Sequence, residues 1–228
     1  MKKIMFNDKY GLTRAVLEGR KTQTRRLILS KTIEKAEQYR VDYFNDTLDN
    51  IPLEDILIDA NQLMGVPSLS SYQVGEEVSI AQSYNDVYEE LKRTHGSSSP
   101  VTRDFFHKYI QGGRMPVSNK MFVRAQDMPH HIKITNIRVE RLQDISDDDC
   151  FKEGVYHDSA DGAGLNWISC EDMNAQNELL RHEWHGKKGL WFWDTPQGAF
   201  AALIDKLSGK GTWDSNPLVF VYDFVRRD

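Results

Sequence analysis

The sequence predicts an α+β protein, one domain over residues 1–228, and three observations carry that reading. Leu218–Arg226 alternates with apolar side chains on both sides, Leu218, Phe220, Tyr222 and Phe224 against Val219, Val221 and Val225, as a central strand buried on both faces requires. His131–Leu142 alternates through Ile132, Ile134, Ile137 and Val139, with a phase break near Asn136 that predicts a bulge. Two helices carry strong start signals: Ser146 before three aspartates, and Thr195 before Pro196.

The remaining elements follow in order. Lys3–Phe6 reads as a short strand, and Asn7 as the N-cap of a helix over Asp8–Glu18 with Leu12, Ala15 and Val16 inward. Gly19 stands where a left-handed cap ends that helix, and Arg25–Leu29 reads as the next strand. Residues 31–70 are polar and acidic, weakly helical near Thr32–Tyr39, and read as an insertion; 86–118 and 150–190 read the same way. Glu77–Gln82 is a strand after a Gly75 turn, and Asp86–Thr94 a helix. Met121–Ala125 is short, apolar and strand-like. Gly154 ends the helix that Ser146 starts. Phe200, Leu203, Ile204 and Leu207 share one face of the helix from Pro196, which Gly209 closes. Five or six strands, capped helices and long insertions suggest a small mixed barrel.

Composition bounds the function. The chain has 28% charged and 39% hydrophobic residues and a net charge of −5, ordinary for a globular protein and unlike one that coats duplex DNA. Charge is uneven: residues 1–31 hold nine basic and two acidic side chains, whereas 142–183 hold eleven acids and two bases. Only Cys150 and Cys170 are present, too few for a disulfide framework or a four-thiolate zinc site, and buried free thiols are expected. With no secretory leader pattern and no apolar run of ~20 residues, a cytoplasmic, non-membrane setting is the simplest expectation.

The segment Gly19-Arg20-Lys21-Thr22-Gln23-Thr24-Arg25-Arg26, set between a helix and a strand, resembles the signature of the ASCH family. Gly19, Lys21 and Arg26 match by position, and Thr24 stands where many members have Glu. Asn119–Glu140 and Phe200–Val225, with the loop Gly211–Pro217, have the look of phage and prophage members. The resemblance implies a PUA-like fold, a mixed β pseudo-barrel with flanking helices. It also implies RNA or nucleotide binding in a cleft lined by Lys21, Thr24 and Arg26, where Arg supplies a planar fork and Lys a point charge for an anionic ligand. Small ASCH-like amidohydrolases that act on N4-acetylcytidine carry a Lys-Thr-x-Thr-x-Arg form, which Lys21–Arg26 matches. By that resemblance Thr24 would be the nucleophile and Lys21 its base. The acid those enzymes use aligns with Lys133, leaving Glu77 or Glu140 as substitutes if the fold brings one close.

Trp213 and Asn216, just before the last strand, are further candidates for stacking on a base and reading its edge. Trp191 and Trp193 read as core, and Trp184 belongs to the same aromatic cluster. His182 and His185 lack a third ligand for zinc, and His130 and His131 read as structural. No phosphate loop or nucleophile elbow is present, so no cofactor or metal is expected. A phage accessory protein that acts through a protein partner is the remaining alternative.

Overall fold

The computed structural model describes residues 1–44, 52–65, 67–112, 117–158, 166–168, 192–193 and 195–227. Its first half comprises β1 (Lys2–Ile4), α1 (Leu12–Leu17), β2 (Gln23–Leu27), α2 (Ser30–Phe44), α3 (Leu53–Met64), β3 (Glu77–Ile80), α4 (Tyr84–His95) and α5 (Pro100–Phe105). A π-helical turn, Phe106–Ile110, continues α5. The second half comprises β4 (His131–Arg141), α6 (Asp147–Lys152), β5 (Tyr156–Asp158), β6 (Asn166–Ile168), β7 (Phe192–Trp193), α7 (Pro196–Ser208), α8 (Thr212–Ser215) and β8 (Leu218–Arg227).

Five strands form one mixed sheet in the order β1-β3-β4-β8-β2. Only β1 and β3 are parallel; the other pairs are antiparallel. The sheet is not closed: β1 and β2 are its two edges. Strands β5, β6 and β7 form a separate small antiparallel sheet.

β8 is central, as its two-sided apolar pattern requires. Leu218, Phe220, Tyr222 and Phe224 enter one core cluster with Ile4, Ile132 and Ile134. Val219 and Val221 enter another with Leu142, Ile145 and Phe200. The β4 register shifts between Ile134 and Asn136, which is the predicted bulge. Both expected caps form: Ser146 accepts the Asp149 N–H, and Thr195 accepts the Gly198 N–H with Pro196 in the first helical turn.

Three local expectations differ. Helix α1 starts at Leu12, because Gly11 takes a left-handed φ of 65°; Asn7 caps the preceding turn by accepting the Tyr10 N–H. The first motif strand runs over Gln23–Leu27, two residues earlier than its pattern suggested. Met121–Ala125 is not a strand. The Lys3 ammonium donates to the carbonyls of Met121 and Val123, and a 3-10 turn follows at Ala125–Asp127. The acidic stretch read as an insertion at 31–70 forms α2 and α3 and gives Ala36, Ile56 and Leu57 to the first cluster. Among the described residues no helix is long and apolar enough to cross a membrane.

Candidate functional site: a cavity at the edge of the sheet

The motif is positioned by its two flanks. Gly19, at φ 76°, ends α1. The Arg20 and Lys21 amides then donate back to the Ala15 carbonyl, and the Thr22 N–H donates to the Lys152 carbonyl at the end of α6. From Gln23 the chain pairs with β8, placing Thr24 opposite Tyr222 and Arg26 opposite Phe220. Thr24 and Arg26 therefore share the first-cluster face of β2, and Arg25 the other, as alternation predicts.

Lys21 is fully enclosed. Its Nζ donates to the Glu153 carbonyl at 2.8 Å and to Glu153 Oε2 at 2.5 Å. Burial pushes the Lys21 ammonium below its ordinary range, against the pull of Glu153. Gly154 follows Glu153 directly. At φ 104° it takes a conformation that favours glycine, and a Cβ there would sit 3.4 Å from Leu12 and 3.8 Å from Lys21.

Arg25 anchors the rest of an ionic network. It pairs with Glu140, Asp149 and Glu153 and donates to the Gln23 amide oxygen. Arg138 adds pairs with Glu140, Asp149 and Asp223. Burial opposes ionisation of Asp149, but its bonds from Lys152 and Arg25 and the nearby charge of Arg138 hold its carboxyl below 3.8. The strongly basic segment thus meets carboxylates drawn from the acidic stretch.

Beside this network lies a cavity of about 600 Å³ between β2 and α7. Lys21, Thr24, Arg26 and Glu153 all line it, and Phe6, Phe200 and Leu203 supply apolar wall. Thr24 is buried, and its hydroxyl has no hydrogen-bond partner among the described residues. Lys21 donates to Glu153 and not to Thr24, so the two share the cavity without a bond between them. Arg26 lies over the Phe6 ring, its guanidinium carbon 5.7 Å from the ring centre. It donates one Nη2 bond to the Met5 carbonyl at 2.7 Å, and its buried Nε has no partner among the described residues. Lys120, also at the cavity, is held by Asp8 and the Phe6 carbonyl. Among the described residues Arg26 is therefore the cavity cation without a carboxylate partner.

The structure brings together Lys21, Thr24 and Arg26 but not Trp213 or Asn216. Trp213 packs edge-on against Phe200 at 6.2 Å, and its main-chain N–H donates to Asp205. Asn216 accepts the Gln143 N–H at 2.8 Å from a left-handed φ of 42°, so it caps its loop. Neither lines the cavity. Of the substitute acids, Glu140 binds Arg25 rather than Lys21, and Glu77 sits opposite Lys133 on the β3–β4 pair. The acid at Lys21 is Glu153, which sequence reasoning missed because it fell in a presumed insertion; Gly154 directly after it was the available signal. Phe6, Lys120 and Phe200 carried no motif signal.

Cys150 is a buried free thiol, pushed up to about 12 chiefly by burial. Trp193 packs against the second cluster, as expected of core. His130 pairs with Glu90. Cys170, His182, His185, Trp184 and Trp191 lie outside the described residues. Among the described residues no group of His, Cys, Asp or Glu could hold a metal ion. Compared with family models, curated proteins and solved structures, the chain has no significant match to any of them.

Proposed function

We propose that this cavity binds a single nucleoside or nucleotide, in an ASCH-like site on a PUA-like frame. One observation carries the reading: the three motif side chains Lys21, Thr24 and Arg26 line one cavity of about 600 Å³, within the range of small-molecule sites. Phe6 and Phe200 offer apolar wall for a base, and the Arg26 guanidinium, without a carboxylate partner among the described residues, is a donor for a phosphate or carbonyl oxygen. Lys21 and Arg25 are already neutralised by Glu153, Glu140 and Asp149, which favours a monomeric ligand over a long RNA. Calorimetric titration with nucleoside 5′-monophosphates tests it. Arg26→Ala should weaken binding by about tenfold or more, the worth of one hydrogen bond to a charged group. Undiminished affinity in that variant would sink the proposal.

A second reading, hydrolysis of an N4-acylated cytidine, is favoured by the unbonded Thr24 hydroxyl beside a lysine whose charge burial disfavours. In it, Thr24 Oγ1 attacks the acyl carbonyl while neutral Lys21 takes the hydroxyl proton. The tetrahedral intermediate expels the cytosine amine, which receives that proton, and water then releases the acid from the threonine ester. Acetate release from N4-acetylcytidine should vanish in Thr24→Ala. Its rate should rise with pH through the lowered Lys21 pKa, since only the neutral amine is a base. No release at high enzyme concentration dismisses this reading.

A further inference from the structure

The cavity touches Thr24, Arg25, Arg26 and Leu27 in succession. Neighbouring residues of a strand point to opposite faces, so one cavity that meets all four straddles the strand edge. The ladder says which main-chain groups lie on that edge. The Phe224 N–H donates to the Thr22 carbonyl, and the Ile28 N–H donates to the Leu218 carbonyl. With the antiparallel register between them, the Thr22 carbonyl and the amides of Thr24, Arg26 and Ile28 turn toward β8. Those of Arg25 and Leu27 turn outward. They have no main-chain or side-chain partner among the described residues. Helix α7 lines the same cavity and gives Leu203 to one core cluster and Phe200 and Ile204 to the other.

We infer that the outward N–H and C=O groups of Arg25 and Leu27 read the ligand. This rests on the nucleotide reading of the cavity and adds what is recognised: a planar edge with an acceptor beside a donor, as the Watson–Crick edge of a nucleobase presents. A free strand edge offers alternating donors and acceptors in one plane, the pattern that an added strand would satisfy in a larger sheet. Here Phe6, Phe200 and Leu203 supply apolar wall for a flat ring in the same cavity. Arg26 then takes the phosphate while the strand edge takes the base. Base choice is set by main chain, which explains why the side chains of β2 carry no obvious base-reading pattern.

The test uses uridine and cytidine 5′-monophosphates, their N3-methyl derivatives, and the variants Leu27→Pro and Leu27→Ala. Proline removes the outward Leu27 N–H while leaving the β8 ladder intact, which edge strands tolerate. Leu27→Ala keeps that N–H and trims the side chain. The expected result is about tenfold weaker binding of the N3-methyl derivatives to the native protein. Leu27→Pro should also bind the unmodified nucleotide about tenfold more weakly than Leu27→Ala, with matching circular dichroism. Equal affinity for blocked and unblocked bases, or equal affinity in the two variants, overturns the inference and leaves the cavity reading standing. Absence of binding by any unmodified nucleotide in the native protein overturns both.

Discussion

Glu153 is the carboxylate that Lys21 and Arg25 of the motif share. It faces Lys21 at 2.5 Å and Arg25 at 3.3 Å in a nearly dry setting. Removing one partner of a buried pair leaves an uncompensated charge, which costs about 3–5 kcal/mol. Glu153→Ala should therefore destabilise the protein by roughly that much in urea unfolding. Lys21→Met should cost distinctly less, because Arg25 still faces the carboxylate and burial already disfavours the lysine charge. Asp149 gives a pH signature. Its folded carboxyl titrates below the ordinary 3.8, so its contribution is complete above 3.8 and is lost as pH falls through the lower folded value. Asp149→Asn should be less stable near neutral pH and lose less on acidification, as compared by unfolding at about pH 7 and about pH 3. Lys21, Thr24 and Arg26 could be grouped from the sequence because a short motif holds them, and they line one cavity. Glu153 was not, because its role depends on contact across more than a hundred residues of chain.

At the scale of elements, β8, β4 and α7 could be read in advance because their patterns are local. Alternation on both faces, one break in phase, and a Thr-Pro start are each complete within about ten residues. The Thr195 cap is a direct test: Thr195→Ala loses the bond to the Gly198 N–H and should cost about 1 kcal/mol in thermal or urea unfolding. Elements set by long-range contact were read less well. The apolar run at Met121 resembles a strand, yet its carbonyls are taken by Lys3 from far away in sequence. Acidic composition hid the helices α2 and α3, although Ala36, Ile56 and Leu57 among their described residues are buried in the first cluster. Trp213 and Asn216 looked like ligand groups because their loop abuts the central strand. Their backbone and side-chain bonds instead hold that loop to Asp205 and Gln143.

Across the whole molecule, the net charge of −5 conceals a pairing of segments. The basic first thirty residues send Lys21 and Arg25 inward, and Asp149 and Glu153 from the acidic stretch meet them there. The expected basic cleft is thereby reduced to Arg26 beside a largely apolar cavity. That reduction favours a monomeric ligand over a polymer, since a site with one cation lacking a carboxylate partner among the described residues gains little from added phosphates. The most direct measurement is calorimetric binding of uridine 5′-monophosphate and of a uridine decamer to native protein and Arg26→Ala. The expected result is saturable one-to-one binding of the monomer, about tenfold or more weaker in the variant, with no gain in affinity for the decamer. Binding of the decamer alone, or monomer binding indifferent to Arg26, would contradict it.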